Sequence, residues 1–555
     1  MPEVTFYPDK KSIQVAEDTT ILQAARLAGV LIESPCNGIG TCGKCKVGVD
    51  AEALKNVIQE GKHQPDEQGK GYVLACHTKV KGDISVEIPG RQNDKTLKIL
   101  NHGKSFGIEL DSIIKKKFYE NENITRIFAV NEILTTEEGN TEDKNYGVIV
   151  DIGTTTLVAS LVDINTGKEL EVVSALNPQS VHAQDVLSRI KFASEEVGLK
   201  TMHSELINEI NGMIDELTGN SGVSRDNIYE AVFSGNTCML HLSANIDPRS
   251  LGKYPYTPQI YGGCHLAATE HNINISRYGI VYLPPIISSY VGADITSGIL
   301  ASQLHNRKGT TLFVDIGTNG EMVIGSNGEL SATSTAAGPA FEGMNITHGM
   351  RAGRGAIEFF NIEESGSIAV KVIGGGEATG ICGSGLLDIV GELAAFGVIN
   401  VNGKFVDIES SDILPALKER LVKQDGKTVF KVTENVHISQ KDVRQVQLAK
   451  GAVRAGIEFL LISKGIKACD VDNVLIAGSF GYHLRAKSLI NIGLLPEEFH
   501  GRIEFIGNTS KSGGQAFLLN KSYRWEMEEI VQNIEVIELA NYKDFDKVFV
   551  KCLGF

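Results

Sequence analysis

Four cysteines near the beginning of the chain have the spacing of an iron–sulfur site. They are Cys36, Cys42, Cys45 and Cys76, with five, two and thirty residues in the successive gaps. This order is close to the C-x4-C-x2-C…C spacing that holds [2Fe–2S] clusters, with one extra residue in the first gap. Such a cluster takes two thiolates per iron. The spacing therefore predicts a [2Fe–2S] cluster and one-electron transfer in the first part of the chain.

The loop that carries the first three cysteines is rich in glycine. Gly38, Gly40 and Gly43 permit tight turns that aim N–H groups at the sulfides of a cluster. Zinc is one alternative, although structural zinc sites usually contain two short Cys/His pairs and this segment has a single C-x2-C. Free thiols are another alternative. A disulfide framework is disfavoured because the chain is long and its cysteines number nine, which is odd.

A small domain of strands and one helix should position this loop. We predict its strands at 4–7, 12–15, 46–49 and 84–88 and a helix over 21–28 that Thr20 caps. Cys76 follows a short apolar run and should arrive from a separate element. The order of these elements resembles the β-grasp fold of plant-type ferredoxins.

The second chemical signal is an internal repeat. The segments VIVDIGTTT, residues 148–156, and LFVDIGTNG, residues 312–320, both read as an apolar strand that ends in aspartate and turns through a Gly/Thr-rich tip. Each is followed by a helical stretch and by a strand that ends in glycine, at 229–236 and 474–481. Matched repeats of this kind predict two related lobes that face each other across a cleft.

The chemistry predicted for the cleft is nucleotide binding and phosphoryl transfer. Backbone N–H groups and hydroxyls at a hairpin tip suit phosphates, and a nearby carboxylate can hold hydrated Mg²⁺. We assign Asp151 and Asp315 to the cation, since phosphoryl transfer needs mainly positioning and charge neutralisation. The predicted phosphate-binding residues are Gly153, Thr154, Thr155, Thr156, Gly317, Thr318, Asn319 and Gly320.

The duplicated arrangement resembles the acetate and sugar kinase, Hsc70 and actin superfamily, known as ASKHA. That resemblance implies binding of ATP with Mg²⁺, and it implies Asp294 as a general base. The alternative for Asp294 is a carboxylate that stabilises the beginning of its own helix. The resemblance also implies a nucleotide-binding role for Gly478, Ser479 and Gly481, as an adenosine motif.

A third glycine-rich segment precedes a predicted helix at 386–390. Its residues Gly383, Ser384 and Gly385 are candidates for contact with a phosphate or ribose, because the N–H groups at a helix N-terminus are free. The alternative is a tight helix cap that serves packing only.

Composition limits the classes of function. The chain has 555 residues, 42% of them hydrophobic, a formal charge of −15 and a pI near 5.4. The acidic balance disfavours a nucleic-acid partner. The chain also lacks a long apolar run and an N-terminal signal segment, so we expect no membrane association and a cytoplasmic location. Residues 91–146 read as a polar connector, with a short helix at 106–114 and a solvated lysine run at 115–117.

We expect an α/β and α+β multidomain protein. The predicted parts are a β-grasp ferredoxin domain at 1–90, a connector at 91–146, a first ASKHA lobe at 147–310 and a second at 311–555. Four strings carry a more specific resemblance: NPQSVHAQDVLSRI, AAGPAFEG, HGMRAGRGAIE and GICGSGLLD, which begin at residues 177, 336, 348 and 380. With the ferredoxin and ASKHA parts, they resemble the reductive activators of corrinoid-dependent methyltransferases.

This family resemblance implies an ATP-dependent reductase that returns a corrinoid protein from Co(II) to Co(I) with one electron from the [2Fe–2S] cluster. It implies a corrinoid protein and an external low-potential electron donor as partners, and a homodimer as one candidate assembly. Three alternatives stay open. They are a small-molecule kinase with a redox-sensing ferredoxin domain, an ATP-dependent activator of a radical or dehydratase enzyme, and a regulatory module with an inactive ATPase site.

Overall fold

The computed structural model describes residues 1–34, 38, 40, 43–59, 70–89, 107–409, 413–424, 426–478 and 484–555, without the side chains of Ala51 and Lys70. It contains two compact units. The first comprises Met1–Leu97 and Pro178–Phe192, and the second Lys98–Asn177 and Ala193–Phe555. Among the described residues, no helix is long and apolar enough to cross a membrane. The predicted domain boundaries remain predictions.

The first unit contains a five-stranded mixed sheet with one helix packed on it, which includes the four predicted strands and one strand that was not predicted. Its elements are β1 Glu3–Tyr7, β2 Lys11–Gln14, α1 Ile21–Leu27, β3 Lys46–Asp50, β4 Val57–Gln59, β5 Lys70–Leu74, β6 Thr78–Val80 and β7 Ile84–Glu87. The sheet order is β2-β1-β7-β3-β5, with β1 and β7 parallel. Thr20 and Gln23 form a capping box that begins α1, and the buried face of α1 covers the sheet. This is the ferredoxin-like fold that the sequence predicted.

A segment from much later in the chain completes the first unit. It contains a 3₁₀ turn at Pro178–Val181 and most of α2, Val186–Ala193. The fully buried Arg189 donates to the Ala183 carbonyl and to Gln179 Oε1, at 3.1 and 2.9 Å. Gln184 Nε2 donates to the Ile32 carbonyl at 3.4 Å. The string beginning at residue 177 therefore contributes to the same unit as the ferredoxin sheet.

Residues 114–138 form an antiparallel sheet of three strands, which the sequence analysis did not predict. The strands are β8 Ile114–Tyr119, β9 Ile124–Ala129 and β10 Glu132–Glu138. The short helix expected at 106–114 is wrong over its described part, because 107–110 are irregular and Ile114 begins a strand. The lysine run is also not wholly solvated. Side chains alternate along a strand, so Lys116 points inward, where its side chain is 1% exposed and pairs with Glu137 at 2.7 Å.

The first lobe is built on a six-stranded sheet with helices packed on it. Its elements are β11 Tyr146–Ile152, β12 Thr156–Asp163, β13 Glu169–Leu176, α3 Glu196–Ser221, β14 Ile228–Gly235, α4 Thr237–Ser243, β15 Cys264–Ala267, β16 Ile280–Leu283 and α5 Ala293–Ser302. The strand order is β13-β12-β11-β14-β16-β15. Strands β11, β12 and β13 form an antiparallel meander, and β14 lies parallel to β11.

The second lobe repeats this pattern in a sheet of order β27-β26-β17-β18-β19-β28. Again three strands form a meander, and β26 lies parallel to the first of them. The elements are β17 Thr310–Ile316, β18 Gly320–Ser326, β19 Glu329–Thr335, β20 Ala356–Ile362, β21 Ile368–Val372, β22 Gly380–Ile381, α6 Gly383–Ala395, α7 Pro415–Lys418, β23 Leu421–Gln424, β24 Lys427–Lys431, β25 His437–Ser439, α8 Gln440–Lys464, β26 Asn473–Ala477, α9 Ala486–Asn491, β27 Ile503–Gly507, α10 Thr509–Leu519, α11 Ser522–Asn533, β28 Glu535–Val536 and α12 Phe545–Cys552.

The two lobes share a helix. Although α10 follows the last long strand of the second sheet, it packs on α5, β11 and β14 of the first lobe. The approach of α10 to α5 is close enough to require glycine, since a Cβ at Gly513 would lie 2.0 Å from the Ser297 carbonyl oxygen. This packing brings the N-terminus of α10 to the strand ends that carry the predicted site.

Candidate functional site

Two of the predicted cluster ligands lie side by side in the first unit. Cys45 directly precedes β3 and Cys76 follows β5, and these strands are paired in the sheet. Their sulfur atoms are 3.2 Å apart, with Cys45 buried and Cys76 half-buried. This closeness suits two thiolates that share one iron. Cys36 and Cys42 lie outside the described residues.

The glycines of the cluster loop have the backbone conformations predicted for them. Gly38, Gly40 and Gly43 have φ values of +90°, +87° and +70°. Gly40 also needs space, because a Cβ there would lie 1.8 Å from Nε2 of His77, the residue after Cys76. The loop thus passes against the segment that carries the fourth cysteine, as a shared cluster requires.

Both predicted phosphate hairpins are present in the second unit. Antiparallel strands β11 and β12 are joined by residues 153–155, and β17 and β18 by residues 317–319. Asp151 is the penultimate residue of β11, and Asp315 is the penultimate residue of β17. Both residues are half-buried. The two hairpin tips therefore present Gly/Thr residues next to one carboxylate each.

The two repeats share a close backbone approach beside these carboxylates. A Cβ at Gly235, the last residue of β14, would lie 2.6 Å from the Ile152 carbonyl oxygen. Gly478 follows β26 with φ +110°, and a Cβ there would lie 2.7 Å from the Ile316 carbonyl oxygen and 2.9 Å from Asp315 Oδ1. Each lobe thus requires glycine where the parallel strand ends against the hairpin.

The three predicted acidic residues come together in one cluster. Burial, followed by the charge of Asp151, raises the pKa of Asp294 to about 7. Burial, followed by the charges of Asp294 and Asp151, raises the pKa of Asp315 to about 8. Burial also raises the pKa of Asp151. Of the three, Asp294 and Asp315 therefore retain protons near neutral pH until a cation compensates their charge.

Asp294 lies both at the beginning of its own helix and within the acidic cluster, the two surroundings that its two predicted roles require. It lies in the first turn of α5, where its Oδ1 accepts the Ile295 N–H at 3.0 Å, and it also faces Asp151 and Asp315. Its role as a general base remains a prediction.

Glu321 is a fourth carboxylate of the cluster, which the sequence analysis missed. It lies directly opposite Asp315 in the β17–β18 pair and is 6% exposed. Burial, followed by the charges of Asp294 and Asp315, raises the pKa of Glu321 well above its usual value. The signal was present in the sequence, because a hairpin with its tip at 317–319 places residues 315 and 321 opposite each other.

Asp151 is held by two residues from the N-terminus of α10 that were also missed. Asn508 Nδ2 donates to Asp151 Oδ2 at 2.8 Å, and the Ser510 hydroxyl donates to Oδ1 at 2.7 Å. A row of hydroxyls continues from Ser510 to Ser234, at 3.1 Å, and from Ser234 to Ser297, at 2.8 Å. Because Asn508 is 357 residues from Asp151, no local pattern could have indicated this contact.

The first hairpin tip is also fixed by amide side chains. Asn236, the N-cap of α4, donates to Thr154 Oγ1 at 3.1 Å. Asn177 donates to the Gly153 carbonyl at 2.8 Å. A further residue missed by the sequence analysis, Glu342, contacts both hairpins, since it accepts hydrogen bonds from Thr155 and Thr318.

The segment Gly383, Ser384 and Gly385 begins α6, and its contacts are those of a packed helix start. Ser384 donates to the Glu358 carbonyl at 2.9 Å, and a Cβ at Gly385 would lie 2.1 Å from the Ile357 carbonyl oxygen. These packing contacts account for the presence of Ser384 and Gly385. They agree with the alternative stated for this segment, a tight helix cap that serves packing. Their contact with a nucleotide remains a prediction.

The predicted adenosine motif is described only at Gly478, since Ser479 and Gly481 lie outside the described residues. The described residues continue from Leu484, and the next residue, Arg485, donates to Asp388 Oδ1 of α6 at 2.9 Å. Ser488 donates to the same oxygen at 2.6 Å. The buried Asp388 therefore ties the segment after the motif to α6.

The site suits a hydrated cation beside a phosphate. Within the described ranges, no three His, Cys, Asp or Glu side chains converge closely enough to bind a metal ion by themselves. Mg²⁺ commonly keeps several waters and takes one or two carboxylates together with phosphate oxygens. Asp151 and Asp315 offer the carboxylates, and the two hairpin tips offer the donors for a phosphate.

Comparison with known proteins accounts for most of the chain. A family model described as a 2Fe-2S iron-sulfur cluster binding domain matches residues 4–81. The model described as the RACo middle region matches 146–307, and that of the C-terminal domain of RACo, the ASKHA domain, matches 309–555. The last two matches coincide closely with the two lobes of the second unit.

Curated relatives are similar over much of their length. The corrinoid activation enzyme RamQ of Eubacterium limosum is 29% identical over 98% of this chain and 97% of its own. The [Co(II) methylated amine-specific corrinoid protein] reductase of Methanosarcina barkeri is 26% identical over 74% of this chain and 77% of its own.

A solved structure agrees over the whole chain. It is titled a reductive activator for corrinoid, iron–sulfur protein, and it is 32% identical, with a TM-score of 0.72 over 100% of this chain and 98% of its own. A ferredoxin-like sheet, a duplicated hairpin lobe and this full-length similarity lead to one assignment. The chain belongs to the family of reductive activators of corrinoid proteins.

Proposed function

We propose that this protein uses ATP to return a corrinoid protein from inactive Co(II) to Co(I), with one electron supplied through its [2Fe–2S] cluster. The observation that carries the proposal is the full-length similarity to a reductive activator in a chain that combines a cluster domain with an ASKHA ATPase. When bound, the cluster would supply the single electron that cobalt accepts, and an external low-potential donor would supply that electron to the cluster.

The energetic reason for ATP is the potential of the acceptor. Plant-type clusters have potentials of about −400 mV, and each further 59 mV corresponds to about 1.4 kcal/mol for one electron. Reduction of Co(II) that lies a few hundred millivolts lower is therefore unfavourable by several kcal/mol. Nucleotide can offset this only if it binds one arrangement of the protein more tightly than another.

The residues of the second unit have distinct parts in this proposal. Asp151 and Asp315 hold the hydrated Mg²⁺ of Mg²⁺-ATP, and the tips at 153–155 and 317–319 donate hydrogen bonds to its phosphates. Asp294 is placed beside them to accept a proton from the attacking water. In the first unit, Cys45 and Cys76 supply two of the four thiolates, and Cys36 and Cys42 are proposed as the others. A cytoplasmic location and a homodimer remain predictions from the sequence.

The proposal is tested by following Co(I) absorbance under anaerobic conditions. An anaerobic pull-down from cell extract identifies the corrinoid partner, which is then mixed with reduced protein with and without ATP. We expect Co(I) to form in the presence of ATP. Rates and yields that do not depend on ATP would contradict the coupling, and phosphorylation of a small molecule would favour a kinase.

Two cysteine variants provide the matched control. Cys76→Ser removes a proposed ligand, whereas Cys469→Ser changes an exposed cysteine of the second unit. We expect Cys76→Ser to lose the cluster absorbance and Co(I) formation but to keep nucleotide binding. Cys469→Ser should match the unmodified protein in all three measurements. Equal Co(I) formation by both variants would exclude the proposed electron path.

A further inference from the structure

The glutamate of the string AAGPAFEG joins the two phosphate hairpins. Thr155 of the first tip donates its hydroxyl to Glu342 Oε2 at 2.6 Å. Thr318 of the second tip donates to the other oxygen, Oε1. These two threonines are 163 positions apart in the sequence and belong to different lobes. A single carboxylate therefore holds one hydroxyl from each lobe in the second unit.

The backbone that carries Glu342 is firmly held. It ends a 3₁₀ turn, Pro339–Glu342, whose Ala340 and Phe341 are buried in the core of the second lobe. Gly343 follows with φ +79°, and a Cβ there would lie 2.6 Å from the Met350 carbonyl oxygen. The main chain is thus fixed, whereas the half-buried Glu342 side chain can turn about its own bonds without moving the turn.

The chemistry of these contacts resembles that of a terminal phosphate. A phosphate oxygen between the tips would accept hydrogen bonds from the same hydroxyls that Glu342 now occupies. Each hydroxyl has one proton to donate, so it cannot serve the carboxylate and a phosphate at once. The negative charges of the Glu342 carboxylate and of a phosphate beside it would also repel each other. Glu342 and a γ-phosphate therefore compete for one place.

We propose that Glu342 is a latch that competes with the γ-phosphate of ATP for the hydroxyls of Thr155 and Thr318, and that it is displaced by ATP but not by ADP. This inference rests on the proposed function, since it assumes that the cleft binds ATP. ADP has no third phosphate and leaves both contacts of Glu342 in place. ATP breaks them and takes over the link between the lobes. Glu342 then acts as a specificity-determining residue that makes the protein distinguish the two nucleotides.

The test compares the affinities of two nucleotides. Isothermal titration calorimetry measures the Kd of Mg²⁺-ADP and of Mg²⁺ adenylyl imidodiphosphate, a non-hydrolysable ATP analogue, at pH 7.5. The proteins are the full chain, Glu342→Ala, Glu342→Gln and the control Glu364→Ala, which changes an exposed glutamate of the same lobe. Thermal unfolding of each variant shows whether it is folded. Glu342→Gln keeps the size of the side chain in case the alanine variant does not fold.

The latch predicts a selective gain. Glu342→Ala should bind the ATP analogue about tenfold more tightly, because no carboxylate must be displaced, and its ADP affinity should stay within about twofold. Glu342→Gln should gain less, since the amide keeps one acceptor without the charge. The control should leave both affinities unchanged.

Other results overturn the latch. Unchanged affinity for the ATP analogue in Glu342→Ala would show that the carboxylate does not compete, and weaker affinity would show that it shapes the site for ATP. Slower hydrolysis with unchanged analogue affinity would assign Glu342 to the chemical step instead. If the unmodified protein binds neither nucleotide, the proposed function fails and the latch fails with it. If it binds both without the selective gain, only the latch fails.

Discussion

The two phosphate hairpins have the same backbone but different surroundings at their carboxylates. Asp151 of the first hairpin accepts hydrogen bonds from Asn508 and Ser510, which orient it. Asp315 of the second hairpin receives no hydrogen bond from the described residues, and Asp294 and Asp151 face it with like charge. The two hairpins therefore share one backbone arrangement, whereas only the first, within the described residues, has its carboxylate oriented by donors from the N-terminus of α10.

The largest expected difference between the hairpins is in ATP turnover. Asp315→Asn should lower the kcat of Mg²⁺-dependent hydrolysis by about 10²–10³-fold. It removes a carboxylate whose charge is opposed by burial and by Asp294 and Asp151, so that a cation stabilises it strongly. Asp151→Asn should lower kcat less, since Asn508 and Ser510 still hold the side chain in place. A phosphate-release assay measures both variants, and a larger loss in Asp151→Asn would reverse the assignment.

The pH dependence of Mg²⁺-nucleotide binding sharpens the same comparison. Protons compete with the cation for carboxylates whose pKa values are about 7 at Asp294 and about 8 at Asp315. Affinity should therefore rise from pH 6 to pH 8.5, by up to about tenfold per pH unit for each proton released. Titration calorimetry in buffers of different ionisation enthalpy counts those protons. Asp315→Asn should flatten the rise above pH 7, and an equally steep curve in that variant would contradict the role of Asp315.

Loss of one hydrogen bond to Asp151 should have a smaller effect on ATP turnover. Ser510→Ala removes one donor to Asp151, and loss of one hydrogen bond to a charged group should lower kcat/KM by about three- to tenfold. Ser512→Ala is the matched control, since Ser512 lies on the same helix but donates to the Asn508 carbonyl, at 3.2 Å. If both serine variants lose the same activity, the helix as a whole and not the contact with Asp151 is responsible.

The smallest expected effect is on stability without Mg²⁺. The pKa of Asp315 is raised from 3.8 to about 8 in the folded protein, so folding favours its protonated form. Its contribution to stability is present below pH 4 and is lost as the pH rises towards 8. Asp315→Asn should therefore raise the Tm at pH 8.5 by roughly 5 °C and change it little at pH 5. Asp151→Asn should gain less, because it replaces two hydrogen bonds to a charged carboxylate by neutral ones.

Sequence reasoning was most successful where a local pattern carries the structure. The hairpins that hold Asp151 and Asp315 and the helix capped by Thr20 follow from residues close together in the chain. These patterns gave the ferredoxin-like fold, the duplicated lobes and the meeting of the acidic residues.

It failed where distant elements decide the outcome. Lys116 looked solvated because the partner that buries it, Glu137, lies in another strand of the sheet. Ser510 and Glu342 reach the hairpins from helices and turns that only the tertiary fold brings near. Glu321 was within reach, since counting residues from the hairpin tip places it opposite Asp315.

The direction of the hydrogen bonds in the row Ser510, Ser234 and Ser297 depends on the charge of Asp151. While Asp151 is ionised, Ser510 donates its only proton to the carboxylate and cannot also donate to Ser234. If Asp151 gains a proton, Ser510 is released to point the other way, and Ser234 can donate to the Ala293 carbonyl at the start of α5. The loss or gain of one proton at Asp151 thereby changes the orientation of hydroxyl groups on two lobes' elements without displacement of any heavy atom.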